Sequence, residues 1–170
     1  MLANSWDMNI LEEMGKIIGS EMKKFHVHLW LAPGMNIHRN PLCGRNFEYF
    51  SEDPILSGLC AYYETKGVQS FPGLGVTLKH FFCNNQEDNR FFVNEHVHER
   101  ALREIYLRNF QIPIEFGKPY SIMTSYNLIN DIHVANHRPI LHDVVHTEWE
   151  YNGLIMTDWC TSMKSSYNYA

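Results

Sequence analysis

The amino-acid sequence predicts an α/β fold and, within that class, a partial (β/α)8 barrel of about four βα units. Helical and strand patterns alternate in the order α-β-α-β-α-β-α-β. The strand segments are nearly continuous apolar runs, which is typical of parallel strands buried on both faces. No G-x-G-x-x-G or Walker A loop follows them, which weakens the alternative of an open doubly wound nucleotide-binding sheet. A complete barrel needs about 250 residues, so these 170 residues correspond to about half of one.

Four short apolar runs predict the strands, and each ends in polar or turn residues. They are VHLWLAP (27–33), GVTLKHFFCN (75–84), YSIMTSYN (120–127) and GLIMTDW (153–159).

Four amphipathic stripes predict the helices, and we expect these stripes to pack on the sheet. They cover residues 10–22, 54–63, 101–110 and 140–149. Asn9 with Glu12 forms a candidate capping box for the first helix. Asp53 followed by Pro54 is a typical N-cap and first helical residue, and this helix should bury the apolar residues of positions 55–59.

Composition excludes several classes of function. A net charge of −5 without basic runs argues against a nucleic-acid partner. No run approaches the roughly 20 apolar residues of a membrane helix, so we expect no membrane partner. The four cysteines form no C-x-x-C pair, which predicts free thiols and favours a reducing compartment such as the cytoplasm.

Ten histidines raise the question of a metal site. Metal-dependent barrel hydrolases of the amidohydrolase type use an H-x-H pair at the carboxyl end of a strand. Here the pair His26 and His28 lies at the beginning of the first predicted strand, and H-E-x-x-H is absent. We therefore expect no metal and no cofactor, and keep this class only as the weakest alternative.

Polar side chains gather where the predicted strands end, and in barrel enzymes these ends form the rim that carries the chemistry. In chain order they are Arg45 and Glu48, Lys79 and His80, Arg90, Tyr126 and Asn127, and Asp158 and Trp159. Charged groups hold hydroxyls through charge-assisted hydrogen bonds, and an indole offers an apolar face to a sugar ring. The set therefore suits a neutral, polyhydroxylated ligand.

Each rim residue also has a structural explanation when it is considered alone. Asp158 is equally well interpreted as the cap of a helix that begins at Trp159. Arg45 and Lys79 are candidate ion-pair partners of nearby carboxylates, His80 is a candidate core histidine, and Tyr126 can simply pack. Only their joint position at successive strand ends favours a binding site.

Five segments of the chain together resemble glycoside hydrolase family three, in its β-glucosidase branch. They are LAPGMNIHRNPLCGRNFEYFSEDP (31–54), KHFFCNNQEDNR (79–90), ERALREIYLRNF (99–110), MTSYNLIN (123–130) and GLIMTDW (153–159). The likeness extends over nearly the whole chain in the right order. The sequence FCNNQEDNR after Lys79-His80-Phe81 differs from the N-acetylglucosaminidase branch and favours glucosides or xylosides.

The resemblance implies an exo-acting β-glycosidase that hydrolyses terminal nonreducing β-D-glucosyl residues with retention of configuration. Asp158, in the S/T-D-W motif, is then the nucleophile. The implied substrate-binding residues are Arg45, Lys79, His80, Arg90, Tyr126 and Trp159. Tyr126 is expected beside the nucleophile, and Trp159 is expected to line the sugar site.

The family pattern also contains parts that this sequence lacks. An upstream D-G-P motif, later barrel strands, a second α/β domain and the acid/base glutamate are expected outside residues 1–170. We therefore expect a fragment of the N-terminal barrel domain that is inactive alone, with a non-catalytic sugar-binding remnant as the main alternative. None of Glu48, Glu87, Glu95 and Glu99 is assigned as the acid. Asp131, where the family has glycine, leaves the loop after the third strand uncertain.

Overall fold

The structure is a computed structural model in which residues 2–161 are described. Its strands are β1 (Leu29–Trp30), β2 (Gly75–Phe81), β3 (Asn94–Glu95), β4 (Ser121–Thr124), β5 (Leu128–Ile129), β6 (Ile132–His133) and β7 (Leu154–Thr157). Its α-helices are α1 (Met8–Lys24), α2 (Pro54–Gln69), α3 (Glu99–Ala101) and α4 (Arg108–Gly117). Two π-helical segments, Leu102–Tyr106 and Pro139–Glu148, and the 3-10 turns Leu2–Ser5, Asn46–Glu48 and Val134–Asn136 complete the elements.

The four predicted strands form one parallel sheet in the order β1-β2-β4-β7. Neighbours in the sheet are consecutive predicted strands joined through helices, which is the βαβ connection of α/β proteins. The α/β class and the parallel arrangement are therefore confirmed. The peptide bonds Ala32–Pro33, Lys79–His80 and Phe81–Phe82 are cis.

The interior of the sheet is packed with aromatic and branched side chains. The Phe81 ring lies edge-on to the Phe110 ring at 5.1 Å and close to the Phe82 ring at 4.9 Å, and all three side chains are fully buried. Such rings bury large apolar areas. This cluster fixes β2, whose end carries Lys79 and His80, against helix α4.

The start of α1 differs from the prediction, whereas the start of α2 agrees with it. Asp7, not Asn9, caps α1, because its side chain accepts a hydrogen bond from the Asn9 N–H at 2.9 Å. Asp53 caps α2 by accepting from the Leu56 N–H at 2.7 Å. Both aspartates satisfy N–H groups that the helix itself leaves free.

The buried face of α2 is not the expected one. Ile55 is 44% exposed, while the helix buries mainly small residues such as Gly58 and Gly67. A Cβ on Gly67 would lie 2.8 Å from the Gly15 Cα of α1 and 2.2 Å from the Glu12 carbonyl oxygen. Helices α1 and α2 therefore approach too closely for a larger side chain, and this close approach overrides the apolar pattern.

The two later predicted helices contain wide turns. The Leu107 N–H donates to the Leu102 carbonyl at 2.8 Å, and the Trp149 N–H donates to the Val144 carbonyl at 2.9 Å. Both are hydrogen bonds over five residues, as in a π-helix. No helix within residues 2–161 is long and apolar enough to cross a membrane.

A second, small sheet in the order β3-β5-β6 was not predicted, since its strands have only two residues each. Asn130 and Asp131 join β5 to β6 with φ values of 47° and 72°. Both belong to the left-handed region, as a type I′ hairpin turn requires. Asp131 thus adopts the conformation that would otherwise favour glycine.

Strand β7 contradicts the expectation of burial on both faces. No residue of Leu154–Thr157 is buried, and Leu154 is 55% exposed. Strand β7 lies at one edge of the sheet, with β4 on one side and no strand of the described residues on the other. Although the sequence of β7 is apolar, no second strand among residues 2–161 covers it.

Candidate active site

His80 lies at the centre of the rim and is held from several directions. Its side chain is 2% exposed. Its Nδ1 is 3.3 Å from the Tyr49 hydroxyl, and its backbone N–H donates to the Asn36 Oδ1 at 2.9 Å. The Asn84 Nδ2 donates to the same Tyr49 oxygen at 3.0 Å, and His80 Nδ1 also lies 3.4 Å from the Asn36 Oδ1. The Nε2 faces Asp158 Oδ2 at 3.7 Å.

His80 is uncharged at any ordinary pH. Burial lowers its pKa to about 2, and the positive charges of Arg45, Lys79 and Arg90 act in the same direction. The imidazole therefore faces Asp158 as a neutral group. His80 is therefore a buried core histidine, and it also lies at the rim as predicted.

Asp158 uses its two carboxylate oxygens differently. Oδ1 accepts a hydrogen bond from the Trp159 N–H at 2.7 Å, and the Thr161 N–H donates to the Asp158 carbonyl at 3.2 Å. Both bonds lie within the turn that follows β7. Oδ2 faces His80, and the carboxylate is only 12% exposed. The residue therefore joins the local turn through one oxygen and the rim through the other.

Tyr126 contacts the same carboxylate. Burial, the Asp158 charge and a hydrogen bond to Asp158 raise the pKa of Tyr126 to about 12. The phenol remains protonated and donates to the carboxylate. The Arg90 guanidinium lies over the Tyr126 ring, 4.8 Å from its centroid, a distance at which cation and ring attract each other.

The cations of the rim are paired with carboxylates. Glu48 forms an ion pair with Arg45 through one oxygen, and its other oxygen is 3.6 Å from Lys79 Nζ. Arg90 Nη1 donates to Glu87 Oε2 at 2.8 Å. The ion-pair interpretation of Arg45 and Lys79 is thus confirmed for Glu48. All three cations nevertheless stay partly exposed at the rim.

Trp159 lies at the rim but does not close it. Its side chain is 76% exposed, beside the turn that follows β7. Sequence reasoning gave no role to Tyr49, Asn36 and Asn84, which hold His80 and its neighbours. Their types carry no chemical signal, since tyrosine and asparagine are common in any fold.

The glutamates differ in their surroundings, and none has those of an evident acid. Glu48 and Glu87 are paired with rim cations, and Glu99 accepts from Arg103 at 3.1 Å on the surface. Glu95, whose pKa burial raises to about 7, lines a separate cavity. Within residues 2–161 no three His, Cys, Asp or Glu side chains converge as metal ligands.

In (β/α)8 barrels the active site lies at the carboxyl ends of the strands, and here these ends carry a partly buried carboxylate, a neutral imidazole and cations paired with carboxylates. The chain matches the glycosyl hydrolase family 3 N terminal domain over residues 1–170. It therefore belongs to this family, and the predicted resemblance and TIM-type α/β fold are confirmed.

Among curated relatives, β-glucosidase B of Emericella nidulans is 45% identical over 94% of this chain and 19% of its own length. The thermostable β-glucosidase B of Acetivibrio thermocellus is 46% identical over 93% of this chain and 21% of its own length. The chain thus spans about a fifth of the length of these relatives.

Solved structures of β-glucosidases also match this chain. β-Glucosidase 3B from Thermotoga neapolitana in complex with glucose superposes with a TM-score of 0.91 and 52% identity, over 93% of this chain and 22% of that one. The β-glucosidase from Kluyveromyces marxianus in complex with glucose superposes with a TM-score of 0.92 and 42% identity, over 94% of this chain and 19% of that one.

Proposed function

We propose that this chain provides the nucleophile and the nonreducing-end sugar site of a retaining, exo-acting β-glucosidase. The observation that carries the proposal is the position of Asp158, whose Oδ2 faces the neutral His80 Nε2 at 3.7 Å. A carboxylate with one oxygen turned toward a rim of donors suits attack on the anomeric carbon of a bound sugar. Its membership of the family, whose named relatives are β-glucosidases, supports the same role.

The neighbours of Asp158 hold its carboxylate in place. A retaining glycosidase needs this carboxylate to be ionised, while a second carboxyl group about 5–5.5 Å away protonates the leaving oxygen. The Trp159 N–H and the Tyr126 phenol donate hydrogen bonds to the carboxylate, and His80 Nε2 lies 3.7 Å from Oδ2. These contacts hold the carboxylate in one orientation.

The remaining rim residues bind the sugar. Arg45, Lys79 and Arg90 present charged donors for hydroxyl groups, and Glu48 and Glu87 hold these donors in place. Trp159 offers its exposed indole to the apolar face of the sugar ring. Hydrogen bonds that tighten as the ring flattens would add transition-state stabilisation.

We also propose that the 170 residues are a fragment of the N-terminal barrel domain and are insufficient for turnover. The exposed edge at β7 and the fifth of each relative's length that the chain spans support this. The acid/base glutamate, the other barrel strands and the second α/β domain would be supplied by further chain. Loss of general acid catalysis typically costs about 10²–10⁴-fold in rate.

The test is a chimera in which residues 2–161 replace the matching segment of the Thermotoga neapolitana enzyme. Asp158→Asn should lower turnover of an aryl β-glucoside by about 10⁴-fold or more, as for other lost nucleophiles and triad carboxylates. Asp143→Asn, an exposed control, should leave turnover unchanged. Retained activity in Asp158→Asn would refute the nucleophile assignment. Turnover by the isolated 170-residue chain at ordinary enzyme rates would refute the fragment proposal.

A non-catalytic sugar-binding remnant is the second candidate. It is favoured by the network of Tyr49, Asn84 and His80, which holds the rim with contacts from described residues alone. A chimera that binds glucose but shows no Asp158-dependent turnover would support this candidate.

A further inference from the structure

A closed chain of side-chain contacts begins and ends at Asp158, and we call it the nucleophile ring. Each member contacts the next through a hydrogen bond, an ion pair or a ring face. In order the members are Asp158, His80, Tyr49, Asn84, Glu87, Arg90 and Tyr126, which contacts Asp158 again. The ring therefore connects the ends of β2, β4 and β7 with the loop after β1.

The Tyr49 hydroxyl joins the two arms of this ring. It lies 3.3 Å from His80 Nδ1, and the Asn84 Nδ2 donates a hydrogen bond to it at 3.0 Å. On one side His80 Nε2 faces Asp158 Oδ2 at 3.7 Å, whereas on the other side Asn84 leads to Glu87. Removal of this one hydroxyl would therefore open the ring.

The second arm places a cation and a phenol beside Asp158. The Asn84 Nδ2 also donates to Glu87 Oε1 at 3.4 Å, and Glu87 Oε2 accepts from Arg90 Nη1 at 2.8 Å. The Arg90 guanidinium lies 4.8 Å from the centroid of the Tyr126 ring, and the Tyr126 phenol is hydrogen-bonded to Asp158. Glu87, which uses both of its oxygens, thus connects Asn84 to Arg90.

Burial makes the Tyr49 hydroxyl a fixed point. The side chain is 5% exposed, and its ring lies edge-on to the His80 ring with the centroids 6.2 Å apart. Burial raises the pKa of Tyr49, so the phenol stays protonated. Within residues 2–161 this hydroxyl bonds to His80 and Asn84 and not to Asp158, so it affects the carboxylate only through its neighbours.

We propose that Tyr49 is a positioning residue for the reaction, because its hydroxyl couples His80 to the Glu87–Arg90 ion pair and so holds both sides of Asp158 in one arrangement. The inference rests on the proposed nucleophilic role of Asp158. Reacting groups need neighbours that lock their rotamers, and a satisfied buried polar network supplies such rigidity. A displacement of about 1 Å at a reacting group can cost about 10²-fold in rate.

The test is Tyr49→Phe in the chimera that carries residues 2–161, since this change removes the hydroxyl and keeps the ring. The kcat for an aryl β-glucoside should fall by roughly ten- to a hundredfold, because the orientation of the attacking carboxylate matters most in the transition state. A kcat equal to that of the parent chimera would overturn the proposal.

Tyr151→Phe is the matched control. Tyr151 is also 5% exposed, and its hydroxyl donates to the Pro119 carbonyl at 3.2 Å, beyond the opposite end of the sheet where β4 and β7 begin. This variant likewise loses a buried hydroxyl, yet its kcat should be unchanged. An equal loss of kcat in both variants would show a general effect of lost packing and would contradict a positioning role.

A double-mutant cycle tests the coupling through the ring. Glu87→Gln keeps the shape of the side chain but weakens the ion pair with Arg90, so it should also lower kcat. The double variant Tyr49→Phe/Glu87→Gln should be about as slow as the slower single variant, because either change opens the same ring. Losses that multiply would refute the coupling.

Asn84→Ala opens the ring from the other side of the Tyr49 hydroxyl. It should lower kcat to a similar degree, so the test survives if Tyr49→Phe does not fold, and an unchanged kcat would count against the proposal. Retained turnover in Asp158→Asn would instead refute the proposed nucleophile. The failure of this inference is therefore distinguishable from the failure of the proposed function.

Discussion

Strands β4 and β7 are neighbours in the same parallel sheet, yet their environments are opposite. They pair residue for residue from Ser121 with Leu154 to Thr124 with Thr157. Every residue of β4 is buried, whereas none of β7 is. Equivalent backbone geometry therefore coexists with very different packing, because β4 has strands on both sides and β7, among residues 2–161, pairs with β4 alone.

The two halves of the candidate site differ in burial in the same way as the two strands. The half after β2 and β4 contains His80 and Tyr126, both fixed in the core. The half after β7 contains Asp158, held by short local hydrogen bonds, and the exposed Trp159. Packing fixes the half after β2 and β4, whereas Asp158, the proposed nucleophile, follows a strand that has no second neighbour among residues 2–161.

The largest effect should come from a matched pair in the two strands. Ile122 of β4 and Ile155 of β7 are partners in the sheet register. Ile122→Ala removes a fully buried side chain and should lower the free energy of unfolding by about 2–5 kcal/mol. Ile155→Ala, at a half-buried position, should cost roughly 1 kcal/mol. Urea denaturation measures both, and equal costs would contradict the comparison.

A second prediction concerns β1, the opposite edge of the sheet. Glu64 of α2 lines a cavity of about 350 Å³ beside Trp30 and Gly34. Burial raises the pKa of Glu64 from 4.5 to about 8, so the folded state binds its proton more tightly than the unfolded state. Its contribution is fully present below pH 4.5 and is lost as pH rises toward 8, by up to about 1.4 kcal/mol per pH unit.

Thermal unfolding of the wild type and Glu64→Gln between pH 5 and 8 checks this. The wild type should lose stability relative to the variant as pH rises. The comparison with the variant is needed because His80, whose pKa burial lowers to about 2, destabilises the fold as pH falls below 6.5. Parallel pH profiles of the two proteins would show that Glu64 does not titrate as described.

The smallest effects are expected in the hairpin turn between β5 and β6. Asp131→Gly relieves a left-handed backbone but loses a hydrogen bond from Asn94 Nδ2, so stability should change by less than about 1 kcal/mol. Asn130→Gly should cost about 1–2 kcal/mol, because the Asn130 amide bonds both the N–H and the carbonyl of Val97. Chemical denaturation distinguishes the two, and the reverse order would contradict this account of the turn.

The main sheet was predictable from local signals. Short apolar runs predicted all four strands, and the Asp53-Pro54 pair predicted the start of α2. The clustering of His80, Tyr126 and Asp158 followed from parallel strands, whose carboxyl ends share one edge. These features depend on a few neighbouring residues.

Other features were not predictable, because they depend on distant contacts. The exposure of β7 reflects a missing neighbour rather than its own apolar sequence. The buried face of α2 is set by the close approach of Gly15 and Gly67, which a hydrophobic pattern does not reveal. The two-residue strands of the small sheet are too short to show any periodicity.

The central claim is that Asp158 is the nucleophile, although its strand is the exposed one. An activated 2-deoxy-2-fluoro-β-glucoside traps the covalent intermediate of a retaining glycosidase on its nucleophile. We would treat the chimera that carries residues 2–161 with this reagent, digest it and locate the added sugar by mass spectrometry. The account predicts label on Asp158 and none in Asp158→Asn. Label on any other carboxylate would contradict it.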